Sequence, residues 1–575
     1  MTDYVDAASD MTTVAQDAHV GGESALHVRT VPLGGSRLSV ALQSVAQRTG
    51  ASGDDAADST QLPQWLLERP GTVDGWRARA TDVRSRQGTP DWHVALAPAF
   101  AATGAAAGRL SRAAAHGVVI TTGQQPGLFG GPAYTWTKAM SALALADRLE
   151  AALGIPVAPV FWAATDDADW AEAAVTHLLT TDGLQTVQLP GPATDGVAMM
   201  DVPLGDVSVA LASLRAACGS AASASVLDEV ESAYVPHATI GAAYLQLLRA
   251  LLEPLGIAVL DASHAATRAA ADPFLRRALV RAAAVANRLS ARSEDIRAAG
   301  FAPQVETLDN LSLVFRTSLG REGRGMDRVR ERVPVVDAPR VAREAEPGTL
   351  GANVLLRPVL ERCLLPTIAY VAGPGEFAYF AQIGPIAEAL EAEASLPVPR
   401  WAGEIIEPRS ARVRERLGIT EAMLRDPHEA ETFIARVAMP DDVQDALERL
   451  RVTLDAQIRA VGSAVDGADS LVHPAVVDGL GRDVTHRLER FERRALAAVK
   501  RRESTLMRDV AHVRAAYRPM GASPERVLNL VPVLARHGTG VFALLRREAE
   551  AHADRLLHAA DVATGAPADE STATG

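Results

Sequence analysis

Lysine is almost missing from this chain. Among 575 residues, lysine and arginine together number 57, and only Lys138 and Lys500 are lysines. The arginine and alanine excess reads as a coding bias. A lysine kept where arginine serves nearly everywhere else still points to a compact point charge that a planar guanidinium cannot replace. Cysteine is equally scarce. Cys218 and Cys363 lie far apart and form no CxxC pair. That argues against a zinc ribbon, a disulfide framework and zinc as a cofactor. Both thiols are expected to be buried small apolar groups, in keeping with a reducing compartment. No apolar run reaches membrane-spanning length, and the acidic N-terminus lacks the apolar stretch of a signal peptide. The expected location is the cytoplasm, without membrane contact. A net charge of −13 with no long basic tract argues against nucleic acid as a partner. Walker A and GxGxxG patterns are absent, which disfavours a P-loop kinase or an ordinary dehydrogenase. No Ser/His/Asp or Cys/His order stands out. His177 and His264 read as structural, and no histidine spacing makes a metal site.

The length exceeds one ordinary core, so roughly two to four structural units are expected. Residues 1–27 and 562–575, rich in Ala, Thr, Gly, Ser and acid, read as disordered tails. Residues 28–115 read as a helical lobe anchored by Trp65, Trp76 and Trp92. Over 116–425 strands alternate with helices, which predicts an α/β, Rossmann-like, doubly wound parallel sheet with helical insertions. The expected strands are 117–122, 156–164, 256–261, 366–372 and 396–402, with helices over 134–153, 242–255 and 377–394. Residues 426–520 carry Val443, Leu447, Leu450, Leu454, Ile458, Val461 and Val465, then Leu488 to Tyr517 with a slip near Arg502. This spacing reads as an antiparallel coiled-coil arm, the alternative being an ordinary helical subdomain packed on the core. Residues 521–561 are expected to dock back onto the core, with an amphipathic helix over Pro524–His537.

Three constellations could carry chemistry. The first is Thr121–Lys138, TTGQQPGLFGGPAYTWTK, a Gly-rich turn between a strand and a helix. Gly123, Gly127, Gly130 and Gly131 let backbone approach a ligand, and amides at a helix start suit an anion. Gln124, Gln125, Tyr134 and Lys138 add polar groups, although the glutamines could equally serve the turn alone. The second is Asp166, Asp167 and Asp169, directly after the buried strand; they could bind an amine, hold a magnesium ion or act as a base. The competing role is a helix cap, for which one acid suffices. The third is Gly373-Pro374-Gly375-Glu376, where Glu376 could hold an amino group or ribose hydroxyls and Tyr379 lies one turn on. A tight turn with an acidic first helical turn is the structural alternative. Asn353 and Arg357 could reach the same cleft.

Taken together, TGQQPGLFGGPAYTWTK, GIPVAPVFWAATDDADW, NVLLRP with LLPTIAYVAGPGEFAYFAQ, and ERVLN resemble the bacillithiol biosynthesis cysteine-adding enzymes, the BshC family. The motifs run in order from about residue 116 to 540. The resemblance implies addition of L-cysteine to glucosaminyl-malate, a Rossmann-like core, adenine nucleotide (ATP or ADP) binding and a coiled coil that makes a homodimer. Two departures stand out. Where the family reads Glu-Asp-His-Asp-Phe, this chain has Asp166-Asp167-Ala168-Asp169-Trp170 and so lacks the imidazole; its Gly-Gly-Pro-Gly-Glu begins here with Ala372. The expectation is therefore a ligase joining the cysteine carboxyl to a sugar amine, with ATP-linked activation of the carboxyl. Lys138 would act on phosphate charge, Asp166, Asp167 and Asp169 on the amine or a magnesium ion, and Glu376 on an ammonium or ribose. The alternatives are a sugar-phosphate nucleotidylyltransferase and a non-catalytic, nucleotide-binding coiled-coil scaffold of the thiol pathway.

Overall fold

The structure is a computed structural model that describes residues 26–47, 65–86, 91–191, 195–221, 223–308, 310–319, 328–426, 428–466 and 472–558. The two segments expected to be disordered tails lie outside the described residues, apart from residues 26 and 27.

Five parallel strands organise the core. They are β1 (Val118–Gln124), β2 (Val157–Ala163), β3 (Ala258–Asp261), β4 (Thr367–Ala372) and β5 (Pro397–Pro399). Their order is β5–β4–β1–β2–β3. The chain leaves β1 toward β2 on one side and returns to β4 on the other. At such a switch point the connections diverge and a crevice opens beyond the carboxyl ends of the strands.

The sheet is covered on both faces, so its strands are continuous apolar runs. In β2, Val157, Phe161 and Ala163 pack with Trp76, Trp136 and Phe542 on one side. Ala158, Val160 and Trp162 pack with Trp65, Trp92 and Phe100 on the other. The three tryptophans expected as anchors are thus all in the core. Helix α1 (Tyr134–Leu153) follows β1 and ends at Gly154 in the left-handed region, φ 69°. Three further helices frame the crevice: α2 (Arg357–Leu364), α3 (Pro374–Phe380) and α4 (Ile383–Ala389).

Several segments depart from expectation for local reasons. The helix expected over 377–394 is broken into α3 and α4. Pro385 has no N–H for the Ala381 carbonyl four residues earlier, and Arg292 takes that carbonyl at 2.5 Å instead. The buried Gln382 amide at the break bonds both the N–H and the carbonyl of Val305. The segment expected to be a helical lobe opens on a strand, His27–Thr30, antiparallel to Gly403–Ile406. There Arg29 pairs with the buried Glu404 at 2.5 Å, a partner far away in sequence. Four helices follow within the described residues of that segment.

The arm is built from α5 (Asp441–Asp466) and α6 (Pro474–Arg502). They run antiparallel, since Gly462 lies against Val477 and Gly481 against Ile458. The heptad slip near Arg502 is a real break at Glu503, after which α7 (Ser504–Tyr517) begins. Leu496 and Val499 are buried with Ala435 and Met439 at the arm's base. Farther out, Val443, Leu450, Val461, Leu480 and Phe491 are exposed. The helix expected over Pro524–His537 is two short ones, Pro524–Val527 and Val531–His537, separated by Asn529. Helix α8 (Val541–Leu557) then lies along α1, with the Trp136 and Phe542 rings 5.7 Å apart. Among the described residues no helix is long and apolar enough to cross a membrane.

Candidate functional site

The crevice beyond β1, β2 and β4 holds a cavity of about 270 Å³. Gly123, Gln124 and Gln125 form its edge at β1, Trp162 and Ala164 at β2, and Tyr370 and Gly373 at β4. Helix α1 supplies Tyr134 and Lys138, α2 supplies Arg357 and Glu361, and α3 supplies Gly375, Glu376 and Tyr379. Glu172, Arg400 and Arg526 complete the polar wall.

Lys138 is the keystone. It sits one turn into α1, where the Gly-rich turn brings that helix back under the end of β1. It is 3% exposed, and its ammonium reaches Glu376 Oε2 at 2.6 Å, the Gly123 carbonyl at 2.9 Å and Gln124 Oε1 at 3.0 Å. Burial pulls its pKa below the ordinary lysine value, and the Glu376 carboxylate opposes that. Glu376 also accepts from the Gly373 amide at 2.6 Å and from the Tyr370 hydroxyl at 2.7 Å. The first and third sequence motifs therefore meet through one ion pair. A Cβ on Gly373 would stand 3.2 Å from Glu376 Oε2 and 3.4 Å from Lys138 Cε, so glycine keeps the pair uncrowded. Lys500, by contrast, is half-buried in an ion pair with Glu431 on the arm side.

Glu172 gathers the polar groups of the Gly-rich turn. Gln125 donates to it at 2.6 Å, Tyr134 at 2.9 Å and Gln124 at 3.4 Å. Its side chain is exposed at the cavity mouth, yet partial desolvation by the surrounding protein, with Asp169 and Asp167 nearby, raises its pKa and strengthens it as a base, while the Tyr134 hydroxyl bond works the other way. Burial likewise pushes the Tyr134, Tyr370 and Tyr379 phenols well above the ordinary value, so they remain donors.

The Asp166–Asp169 turn fans outward and does not line the cavity. Asp167 takes Arg357 at 3.2 Å, and Arg357 is the residue that faces inward. Burial raises the Asp167 pKa, but Arg357 and Arg330 outweigh it and leave the carboxyl below its ordinary value. Burial also works against the Arg357 charge, and Asp166 and Asp167 more than restore it. Arg330 bonds the Asp166 carbonyl and lies 3.8 Å from its carboxylate. Asp169 caps the short helix Trp170–Ala173 by accepting from the Glu172 amide at 3.1 Å. The turn thus aims Arg357 and Glu172, and its three carboxylates stand outside the cavity lining.

Gly130 and Gly131 also stand behind the cavity wall. Their amides are spent within the turn, Gly130 on the Gly127 carbonyl and the Tyr234 hydroxyl, Gly131 on the Leu128 carbonyl. Asn529 holds the outer side: its amide nitrogen reaches the carbonyls of Leu128, Phe129 and Gly131 and the Thr176 hydroxyl at 3.1–3.2 Å. The expected cradle of loop amides is therefore a braced turn that aims Lys138. Gly123 is needed for close packing, since a Cβ there would meet the Trp162 carbonyl at 2.8 Å. Asn353 is buried outside the cavity, and its side-chain oxygen accepts from the Leu356 amide at 3.0 Å in the turn that leads into α2.

Glu172, Glu361, Trp162, Tyr370, Arg400 and Arg526 escaped the sequence reading. Glu361 had a usable signal, a lone acid among the buried apolar positions of α2. Arg400 follows the apolar β5 run directly and pairs with Glu525 at the far end of the chain, with 2.8 Å between Nη1 and Oε2. Two donors in the wall have no protein partner: Arg400 Nε and Trp162 Nε1 are buried and unbonded. Such donors cost free energy unless an acceptor arrives. Among the described residues no group of three or more His, Cys, Asp and Glu side chains converges to hold a metal. Cys218 and Cys363 are thiols outside any disulfide, and burial raises both, Cys218 to about 11.

Known proteins share this architecture. Residues 98–401 match the N-terminal Rossmann-like domain of bacillithiol biosynthesis BshC, and residues 405–555 match its C-terminal coiled-coil domain. A protein of Solibacter usitatus named "Putative cysteine ligase BshC" is 31% identical over 84% of this chain and 91% of its own length. Relatives of the same name from Koribacter versatilis and Geobacillus thermodenitrificans are 30% and 27% identical, over 73% and 80% of this chain and 79% and 87% of theirs. With both domain matches and the motifs joined at one ion pair, this chain belongs to the BshC family of bacillithiol biosynthesis.

Proposed function

We propose that this protein joins the carboxyl of L-cysteine to the amine of glucosaminyl-malate, with ATP activating the carboxyl. The observation that carries this reading is the charge and donor set of the cavity. Arg357, Arg526, Arg400 Nε and Trp162 Nε1 offer N–H donors to carboxylate or phosphate oxygens, while Glu172 offers a base beside them. This donor set fits the phosphates of ATP, which when bound would supply a good leaving group for the carboxyl oxygen. Lys138 and Glu376 hold α1 and α3 together, so the donors they carry keep their places. Arg357, oriented by Asp167, binds anionic oxygens. Glu172 takes the proton that the amine loses as its nitrogen forms the new C–N bond and the leaving oxygen departs. Two copies pair through the exposed apolar residues of α5 and α6, which solution molecular mass measures.

The decisive experiment is mass spectrometry of small thiols in cells with and without the gene, with purified protein, L-cysteine, glucosaminyl-malate and ATP as the matching assay. Loss of bacillithiol with build-up of glucosaminyl-malate supports the reading. Unchanged bacillithiol, or pyrophosphate release without cysteine, overturns it.

A further inference from the structure

Glu361 lines the cavity from α2, yet the roles above leave it unused. It is 2% exposed, and its Oε1 accepts from the Thr121 hydroxyl on β1. The groups that face it are Arg357 on its own helix, Glu376 on α3, and the phenols of Tyr370 on β4 and Tyr379 on α3. The neighbouring cations are already matched: Arg357 with Asp167, Lys138 with Glu376, Arg400 with Glu525. A buried carboxylate beside a second carboxylate, with a neutral hydroxyl as its direct partner, is a costly species. Keeping a proton removes that cost.

We propose that Glu361 works as a neutral carboxylic acid, donating a hydrogen bond to the oxygen of the carboxyl under attack. This deepens the ligation reading and rests on it. As the amine nitrogen bonds to the carboxyl carbon, negative charge builds on the adjacent oxygen, and a donor aimed there stabilises the charge as it forms. When the leaving oxygen departs, the carbonyl re-forms and Glu361 retains its proton throughout. Thr121 occupies Oε1 and the Thr367 hydroxyl of β4 also lies beside the carboxyl, both neutral, so the proton is placed on Oε2. Burial, reinforced by Glu376, pushes the Glu361 pKa up to about 8 against the Thr121 and Thr367 hydroxyls and the Arg357 charge, so the acid form prevails at neutral pH and is lost above it.

Two measurements test this. The first is the pH profile of kcat and KM between about pH 6 and 10, for the wild type and Glu361→Gln. The wild-type kcat should fall about tenfold per unit above pH 8. Glu361→Gln keeps an N–H donor and cannot ionise. It should lose less than about tenfold in kcat at neutral pH, with KM little changed, and its alkaline limb should vanish. Glu361→Ala should lose about a hundredfold in kcat at every pH. A Glu361→Gln profile that keeps the wild-type limb overturns the proposal. The second needs no turnover: an infrared band of a protonated carboxyl, present at neutral pH, fading above about pH 8 and missing in Glu361→Gln. Absence of that band also overturns it. Wild-type protein that shows the band but makes no thiol product sinks the ligation reading, and the donor role with it, while leaving the proton on Glu361 established.

Discussion

Two acid-bearing regions lie at the carboxyl edge of the same sheet, and they do opposite work. In the Asp166–Asp169 turn three carboxylates crowd into four positions, and all three serve the protein itself: one orients Arg357, one lies near Arg330, one caps a helix. In the cavity wall Glu172, Glu361 and Glu376 come from three different helices, Glu172 only three residues beyond Asp169, and all three face one space. Dense acid in sequence marks caps and latches here. Glu361 and Glu376, each the one acid of its helix, mark the chamber.

That contrast can be broken, beginning with the largest effect. Lys138→Met strands the Glu376 carboxylate, so denaturant unfolding should show a loss of about 3–5 kcal/mol, together with loss of thiol product. Adding Glu376→Gln should restore much of the stability and none of the activity; an active double variant would remove the ion pair from the catalytic account. Glu172→Gln should lower kcat by about 10²–10⁴-fold with KM little changed. Asp169→Asn, tested beside it, should not; equal losses would erase the distinction between chamber and turn. The pH dependence of stability sharpens it further. The Glu361 pKa is raised from 4.5 to about 8, so the stability it contributes is fully present below pH 4.5 and is lost as pH rises through 8. Thermal melts should show Glu361→Gln gaining on the wild type across that window, by an amount on the order of a few kcal/mol. Asp167→Asn weakens the hold on Arg357 and should raise KM for the anionic substrate roughly tenfold, with kcat less affected. Smallest of all, Asp169→Ala should cost about 1 kcal/mol of stability through the lost cap, with a loss of turnover far below that of Glu172→Gln.

Much of the fold was legible because its signals are local. The apolar runs of β1, β2 and β4, the glycine stop of α1 and the heptads of the arm each lie within one stretch of sequence. The heptad slip even marked the helix break at Glu503. Lys138, Gln124, Gln125, Tyr134, Arg357, Glu376 and Tyr379 were found because short motifs carried them, and all of them line the cavity. What stayed hidden depends on convergence over long separations. Arg29 finds Glu404, Arg400 finds Glu525, and Asn529 finds the Gly-rich turn from 398–401 residues away. Glu172 sits three residues beyond Asp169, where composition alone does not separate a chamber acid from a capping one. The break between α3 and α4 needed both Pro385 and a distant guanidinium, and only the proline is visible locally.

The bracing of the Gly-rich turn by Asn529 bears on how the protein is born. Leu528 accepts from the Ala133 amide and Asn529 donates to the His177 carbonyl, so this late segment braces a turn behind a cavity whose other walls were mostly synthesised long before. A nascent chain still tethered to the ribosome would carry the sheet without its final stitch. The braced turn that aims Lys138 would then be complete only after the hairpin arm has been made and the segment behind it has docked.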